Sequence, residues 1–414
     1  MARGRVFILI EGHAVNGLLY VRAAQRLGLH PITLSVDPAR YSYIATEQLH
    51  AICVDTNDLD ALIDECSRLS ATDGIAGITG ALDSVYATVS KLCRHFNLPG
   101  PDPVAIERCY DKFAQRQLLA QAGIRVPSFR TVTSAADVES SAAEIGLPVI
   151  LKPVMGSGSS GVRLCYSVEA LAEHTAYLLG GAHRWRCTPR ILIEEFADGP
   201  YYCAEMMGTE FVGIAASDLH PPPYFVFREW TFPAVLTEEE HERIANLSLH
   251  CLRALDLGWG PTNIEFRWTK SGPVVIEVNP RLGGAPDPQL IQLAYGVDLI
   301  TEHIKLAIGE KCDLRRKHSD TAAARMLVPD HDGFLDWIGG VALATAVPGI
   351  TEVRMYVTAE TPIIKKGDDR DYIGHVIAAS PNLGRTREIL QNAVNLIEWS
   401  ITPFSRPTSA VGAT

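Results

Sequence analysis

The chain has no apolar run long enough to cross a membrane. None of its 414 residues lies in a stretch that approaches the roughly 18 to 20 apolar residues a spanning helix needs. The apolar run at 6–10 follows basic residues, as in a signal peptide, but Glu11 and Gly12 close it. We therefore expect this run to be the first strand of a domain, and we expect no membrane partner.

Cysteine pairs and blocks of positive charge are also absent. The nine cysteines form no Cys-x-x-Cys pair, which argues against a zinc site and a disulfide framework. We expect reduced, mostly buried thiols in a cytoplasmic protein. The net charge is −11 and no cluster of lysine and arginine stands out, which disfavours nucleic acid as a partner.

The N-terminal part lacks a dinucleotide-binding fingerprint. Four short apolar runs, at 6–10, 31–36, 51–55 and 74–79, alternate there with segments of helical spacing. This order predicts a parallel, doubly wound sheet. The first turn, EGHAVNG, contains no G-x-G-x-x-G, so we do not expect a dinucleotide site.

Antiparallel structure is predicted in the second half of the chain. Residues 103–123 have the pattern of one helix and are followed by a small α/β segment. Hairpin patterns come next, at 201–216 and 261–281, and a last helix is predicted at 385–401. The chain as a whole therefore combines an α/β with an α+β region.

The hairpin at 261–281 carries polar side chains at alternate positions. The polar positions of both strands are odd-numbered: Asn263, Glu265, Arg267, Glu277, Asn279 and Arg281. Side chains alternate between the two faces of a strand, and apolar faces must meet each other. The pairing that best fits therefore puts Trp268 opposite Val274 and Glu265 opposite or diagonal to Glu277.

A metal site is one explanation of these facing carboxylates, because they repel each other unless a cation lies between them. Oxygen atoms from Glu265, Glu277 and Asn279 suit Mg²⁺ (or Mn²⁺), which usually takes its remaining ligands from water and phosphates. A polar face in contact with solvent is the alternative interpretation of the hairpin alone.

Three further features suit a nucleotide. The loop GSGSSG at 156–161 follows Lys152 and precedes a strand rather than a helix, so its N–H groups could fold over phosphates. Lys112 lies within the predicted helix, and the strand pattern at 190–196 could pair its backbone with an adenine edge. Taken singly, these are also patterns of a flexible turn, a solvated lysine and an ordinary strand.

The order of these features resembles the ATP-grasp superfamily. In sequence they run lysine, lysine with glycine loop, Glu-Glu-Phe hinge, and carboxylate…carboxylate-x-Asn-x-Arg, and IEVNPRLGG is the most specific part. The resemblance covers essentially residues 5–400 and is greatest to the L-amino acid ligases, which join two amino acids into a dipeptide. It implies a biotin-carboxylase-like arrangement of an N-terminal parallel α/β domain, a small lid and a large antiparallel C-terminal domain.

The resemblance also implies domain boundaries. They are an N-terminal domain at 1–108, a linker helix at 109–125, a lid subdomain at 126–192, a catalytic domain with a ligase-type C-terminal subdomain at 193–403, and a disordered tail at 404–414.

Site roles follow from the resemblance by position. Contacts to ATP are implied for Lys112, Lys152, Gly156, Ser157, Gly158, Ser159, Ser160, Gly161, Glu194, Glu195 and Phe196. Glu265, Glu277 and Asn279 would hold Mg²⁺ (or Mn²⁺), and Arg281 and Lys152 would be catalytic. Substrate contacts are implied for Arg281, His220, Arg228, Gly283 and Gly284, with a loop histidine fixed by the following prolines as the alternative for His220.

One departure concerns the ribose. Many relatives have Gly-Pro-Glu-Tyr after the hinge, whereas this chain has Gly199-Pro200-Tyr201-Tyr202. Glu205 is the candidate substitute for the missing glutamate.

The implied reaction joins a small-molecule carboxylate to an amine, with amino acids as the expected partners and a homodimer among the allowed assemblies. ATP would activate the carboxylate as an acyl phosphate. The alternatives are another ligase or carboxylase on this fold and a non-catalytic nucleotide-binding regulator. The intact Glu265, Glu277, Asn279 and Arg281 set disfavours the regulator.

Overall fold

The computed structural model of the protein describes residues 5–180 and 190–404. The N-terminal region contains β1 (Val6–Ile10), α1 (Asn16–Arg26), β2 (His30–Ser35), α2 (Ser42–Thr46), β3 (Ala51–Cys53), α3 (Leu59–Asp73), β4 (Ile75–Gly80) and α4 (Asp83–His95). Its strands form the predicted parallel sheet in the order β3-β2-β1-β4. The predicted tail lies outside the described residues, apart from Phe404.

Strand β1 is buried on both faces, as is usual for a parallel sheet covered by helices. Phe7 and Leu9 pack into a core shared with helices of the C-terminal region. Val6, Ile8 and Ile10 pack on the other side with residues of α3 and α4. The central strand therefore joins the N-terminal sheet to the rest of the molecule.

The prediction of a single helix at 103–123 is wrong. The structure has α5 (Pro103–Tyr110) and α6 (Lys112–Gln121), separated by the extended residue Asp111. The Asp111 carboxylate accepts hydrogen bonds from the N–H groups of Phe113 and Ala114, so it caps a new helix. Lys112 is thus the first residue of α6 rather than a mid-helix residue.

The next region is a small antiparallel sheet with two helices. It consists of β5 (Phe129–Val132), α7 (Ala135–Ile145), β6 (Val149–Pro153), β7 (Arg163–Cys165), α8 (Val168–Leu179) and β8 (Ile191–Glu195). The strand order is β5-β8-β6-β7, and the glycine loop connects β6 to β7. The loop thus joins two strands, as predicted.

The remaining chain builds a large antiparallel sheet. It contains β9 (Tyr201–Met207), β10 (Glu210–Leu219), β11 (Phe227–Phe232), α9 (Glu238–Ala254), β12 (Pro261–Thr269), β13 (Gly272–Asn279), α10 (Asp287–Tyr295), α11 (Leu299–Ala307), β14 (Thr321–Leu327), β15 (Gly333–Gly339), α12 (Val341–Thr345), β16 (Ile350–Met355), β17 (Pro362–Ile363), β18 (Gly374–Ser380), α13 (Leu383–Val394) and β19 (Glu398–Thr402). Eight strands form the sheet β13-β12-β9-β10-β11-β14-β18-β16, and β15 pairs with β17 and β19 in a smaller one. This is the predicted α/β and α+β fold with a parallel and an antiparallel part.

The last helix is shorter than predicted. It ends at Val394, and β19 follows, paired with β15. Ile397, Trp399 and Ile401 pack into one core, which is the period of two typical of a strand. The helical interpretation of 385–401 overlooked this change of period.

Two simpler expectations can be compared with the structure. The eight cysteines of the described residues are free, and most are buried, while Cys187 lies outside that part of the chain. None of the described helices combines the length and the apolar character that a membrane span requires.

Candidate active site

A cavity of about 750 Å³ lies where the three regions meet. Its wall includes Asn16 and Asp83 from the N-terminal region, Lys152 and Ser157 from the small sheet, and Glu265 from the large sheet. A ligand in this cavity would therefore contact all three parts of the fold.

The predicted carboxylate pair faces this cavity. Glu265 on β12 lies directly opposite Glu277 on β13, and both side chains line the cavity wall. Asn279 lines it too, and its Nδ2 donates a hydrogen bond to Glu265 Oε1 over 3.3 Å. The prediction that both carboxylates share one face is confirmed.

The predicted register holds only near these carboxylates. A β-bulge follows Glu265, so Trp268 pairs with Pro273 rather than with Val274. The bulge leaves Val275 and Val278 in the core and turns Ile276 to the cavity. The assignment of Ile276 to the apolar core face is therefore wrong.

The electrostatics of the pair favour a cation. Burial, and then the negative charge of Glu277, raise the pKa of the Glu265 carboxyl above its ordinary value. The described residues contain no group of three or more histidine, cysteine, aspartate or glutamate side chains that could hold a metal. The donor set of two carboxylates and one amide fits Mg²⁺, which completes its shell with phosphate and water oxygens.

The two predicted phosphate-contacting lysines are buried at the cavity wall. Lys112 Nζ lies 2.7 Å from Glu277 Oε1 and donates to the carbonyl of Gly156 over 2.5 Å. Lys152 pairs with Glu194, and burial lowers the pKa of its ammonium. Both lysines are therefore held in place by carboxylates, beside the glycine loop and the hinge strand.

Arg281 extends the same polar wall. Its Nε donates to Asp83 Oδ1 over 2.7 Å, and Nη1 donates to the carbonyl of Leu282. The following residues Gly283 and Gly284 also line the cavity. The guanidinium is thus oriented by α4 of the N-terminal region, next to the carboxylate pair.

Two buried residues of α6 were missed by the sequence reasoning. The side chain of Arg116 is fully buried, and its Nε lies 2.6 Å from Glu194 Oε1. The amide of Gln115 accepts from Val278 N over 2.9 Å and donates to the carbonyl of Val278 over 2.8 Å. Their spacing from Lys112 could have indicated them, because residues three and four positions apart share one face of a helix. The structure shows that the face with Lys112, Gln115 and Arg116 is buried.

The glycine loop lies over the cavity. Gly156, Ser157, Gly158, Ser159 and Ser160 line it, whereas Gly161 packs behind it against Pro153 and Leu178. Gly158 has a φ of +68°, and a Cβ there would lie 2.7 Å from the carboxylate of Asp369. Asp369 N donates to the carbonyl of Gly158 over 3.1 Å, so the loop rests on the C-terminal subdomain.

The hinge residues also line the cavity. The Glu194 carboxylate is buried between Arg116 and Lys152, whereas the exposed Glu195 accepts from Ser128 N over 3.2 Å. Phe196 lies next to Phe225, with ring centroids 6.2 Å apart. A contact between this backbone and adenine stays a prediction.

Three further residues with implied ligand contacts lie outside the cavity wall. Glu205 is 1% exposed and lies outside the cavity wall, beside Asn263, at the end of β9 away from the hinge. A contact between Glu205 and a ribose stays a prediction. His220 and Arg228 also lie outside the wall; Arg228 pairs with Asp218 at the surface, and the backbone N–H of His220 donates to Val226.

Three other residues of the wall were not predicted to contribute to the site. Tyr201 replaces the expected glutamate, and its hydroxyl donates to Glu265. Asp83 and Asp287 reach the cavity from the starts of two helices. Each depends on contacts between distant segments, which no local pattern reveals.

Two family models match this chain. The ATP-grasp domain matches residues 145–288, and the L-amino acid ligase C-terminal domain 2 matches residues 325–402. Together they cover the glycine loop, the carboxylate pair and the C-terminal subdomain that holds the loop.

Similar proteins have been found by sequence and by structure. The uncharacterised protein y4rH of Sinorhizobium fredii is 58% identical, over 97% of this chain and 84% of its own length. Human carnosine synthase 1 is 28% identical over 55% of this chain, which spans only 30% of that protein. The crystal structure of an L-amino acid ligase from Bacillus licheniformis has a TM-score of 0.82 at 19% identity, covering 97% of this chain and all of the other.

Proposed function

Because the chain belongs to the ATP-grasp ligases and contains an L-amino acid ligase C-terminal domain, we propose that it joins two amino acids into a dipeptide at the expense of ATP. The observation that supports this most is the cavity wall itself. It brings together two lysines, a glycine loop, a carboxylate pair with an amide, and an arginine. These are the groups that transfer of a phosphoryl group to a carboxylate requires.

The first step activates the acyl donor. One carboxylate oxygen of the donor attacks the γ-phosphorus of ATP, the bond to the bridging oxygen breaks, and ADP leaves. Lys112, Lys152 and the N–H groups of the glycine loop bind phosphate oxygens, and Arg281 stabilises the charge on the transferred group. Glu265, Glu277 and Asn279 would hold Mg²⁺ (or Mn²⁺), which neutralises phosphate charge.

The second step forms the amide. The neutral amine of the acceptor attacks the acyl carbon, the carbon–oxygen bond to phosphate breaks, and the nitrogen loses one proton. Free carboxylate is a poor acylating group, so phosphate supplies the leaving group. The chain's own part is to position both substrates and to balance charge.

We also propose the domain boundaries of the sequence analysis, with the lid at 126–192 and the catalytic part at 193–403. A homodimer and a cytoplasmic location belong to the same proposal.

A screen of phosphate release tests the function. The purified protein is incubated with ATP, Mg²⁺ and pairs drawn from amino acids, other carboxylates and other amines. We expect release only when a carboxylate and an amine are both present, with ADP as the nucleotide product. AMP as the product would contradict the mechanism, and release with non-amino-acid pairs alone would favour another ligase of the superfamily.

A further inference from the structure

A second pair of carboxylates lies beyond Arg281, at the end of the cavity away from the hinge. Glu205 on β9 and Asp287, the first residue of α10, are 1% and 4% exposed. Asp287 lines the cavity, and Glu205 lies directly behind it, next to Gly283. The proposed reaction assigns no role to either residue.

The pair has too few hydrogen-bond donors. Asn263 Nδ2 donates to Glu205 Oε1 over 2.5 Å. Among the described side chains, Glu205 Oε2 and Asp287 Oδ1 are buried without a hydrogen-bond partner. A buried oxygen of this kind is costly unless a ligand, a proton or water satisfies it.

The charge of the pair is also poorly compensated. Arg281 attracts both carboxylates, but its own hydrogen bonds go to Asp83 and to Leu282. Burial raises the pKa of both carboxyl groups, and the charge of Asp287 raises the pKa of Glu205 further. The site therefore favours a positively charged ligand or a proton.

We propose that Asp287, positioned by Glu205, binds a primary ammonium group of an amino acid substrate. An ammonium brings one positive charge and three N–H donors to the unpartnered carboxylate oxygens. Glu205 lies behind Asp287 and outside the cavity wall, so Asp287 alone of the pair offers carboxylate oxygens to a ligand in the cavity, which suits an ammonium better than a metal that needs several oxygen ligands. This inference rests on the proposed ligase function. It names the chemical group that Asp287 and Glu205 would recognise at the acidic end of the cavity, the end away from the hinge.

The position of the pair fits a substrate at the reacting end. Asn263 lies two residues before Glu265 on β12, and its side-chain amide donates a hydrogen bond to Glu205. The pair of Glu205 and Asp287 is therefore adjacent to the pair of Glu265 and Glu277. An ammonium bound there has two sources: the α-ammonium of the acyl donor, or the ammonium of the acceptor, which must give up one proton before its neutral amine attacks. Both sources share the same chemistry and are separated by the experiment.

The experiment compares the wild type with Asp287→Asn, which keeps the size of the side chain and removes its charge. Acyl phosphate is trapped with hydroxylamine, so that only the acyl donor needs to bind. The donor is supplied as a 2-amino acid or as the matching 2-hydroxy acid. Glu302→Gln is the matched control, since Glu302 is a buried carboxylate paired with Lys305 outside this cavity.

If the pair holds the acyl donor, Asp287→Asn should raise KM for the 2-amino acid by about tenfold or more. The 2-hydroxy acid should be unaffected, and so should both donors in Glu302→Gln. If the pair holds the attacking amine, the trapping reaction stays normal and the rise appears in KM for the acceptor in dipeptide synthesis. Glu205→Gln should show the same pattern with a smaller change.

Unchanged KM for donor and acceptor in an active Asp287→Asn enzyme overturns the inference and indicates a proton shared by the two carboxylates. No phosphate release by the wild type with any pair overturns the proposed function instead. Thermal shift of the wild type and Asp287→Asn, with an ATP analogue and either the amino or the hydroxy acid, measures binding without turnover. Equal shifts for the two acids in the wild type exclude the acyl donor as the source of the ammonium, and the inference then requires the rise in KM for the acceptor.

Discussion

The two pairs of buried carboxylates in one cavity differ in how they are compensated. Glu265 and Glu277 have neighbours that donate to them: Tyr201 and Asn279 for the first, and Lys112 for the second. Glu205 and Asp287 each keep one buried oxygen without a partner in the described structure. Neighbouring side chains therefore satisfy the first pair, which we propose as the metal site, whereas the second pair depends more on what enters the cavity.

The difference also lies in the chain segments that build each pair. Glu265 and Glu277 belong to adjacent strands of one hairpin, so strand geometry alone places them opposite each other. Glu205 and Asp287 come from β9 and the start of α10 and meet only through the folded sheet. Activity should therefore respond most to changes in the first pair, and stability with pH most to changes in the second.

Replacing Glu277 should have the largest effect. Glu277→Gln removes one charge from the proposed metal site and the partner of Lys112, and we expect kcat to fall by about 10²–10³-fold. The free energy of unfolding should fall, because the buried Lys112 loses its carboxylate partner and the relieved repulsion of Glu265 offsets only part of that loss. Steady-state phosphate release and denaturant unfolding measure the two effects.

The same measurements on Glu205→Gln sharpen the comparison. This variant leaves the metal ligands intact, so its kcat should fall far less than that of Glu277→Gln. Near-normal turnover of Glu277→Gln would contradict the metal assignment, and an equal loss in both variants would remove the distinction between the two pairs.

A third buried carboxylate, Glu194, is fully compensated and provides a reference. Arg116→Met removes one of its two cationic partners at a side chain with no exposed surface, and breaking such a pair costs about 3–5 kcal/mol. Urea unfolding of the variant measures this loss. Arg68→Met, in the exposed pair with Glu65, is the control and should leave stability unchanged. A small loss in Arg116→Met would show that Lys152 alone compensates Glu194.

The sequence predicted those parts that follow local rules. The parallel N-terminal strands, the hairpins and the facing Glu265 and Glu277 depend on periods of two and on chain order. The break at Asp111 was missed, although an aspartate before a helical segment is a normal cap. The bulge at Ile276 could not be predicted, since the parity of the strands gives no sign of an extra residue.

Long-range contacts account for the rest of what was missed. Asp83 reaches Arg281, and Asp287 approaches Glu205, only because separate regions pack around one cavity. The substrate roles of His220 and Arg228 stay predictions: both residues lie outside the cavity wall, although their neighbours Leu219, Phe225 and Phe227 line it. The order of the motifs along the sequence identified the residues that the chain shares with the family. It did not identify the side chains that contact those residues in the folded protein.

The smallest effect that we expect is on the dependence of stability on pH. It should be governed by the second pair, Glu205 and Asp287, more than by the first. The pKa values of Glu205 and Asp287 are raised to about 8 and about 7, so the folded protein keeps protons that the unfolded chain releases. The stabilisation from these protons is complete below the unfolded pKa and is lost as pH rises through the folded pKa. The facing groups are Arg281, Asn263 and Glu265, and only Arg281 among them carries a compensating positive charge.

Asp287→Asn should therefore be more stable than the wild type by about 2 kcal/mol at pH 8, with the difference shrinking toward pH 5. Urea unfolding at several pH values, without substrates, measures it. Adding Glu205→Gln should give less than the sum of the single effects, because each substitution already removes the repulsion between the two residues. Parallel pH curves for the wild type and Asp287→Asn would mean that Arg281 already compensates the pair. In that case the acidic end of the cavity would need no ammonium to balance its charge.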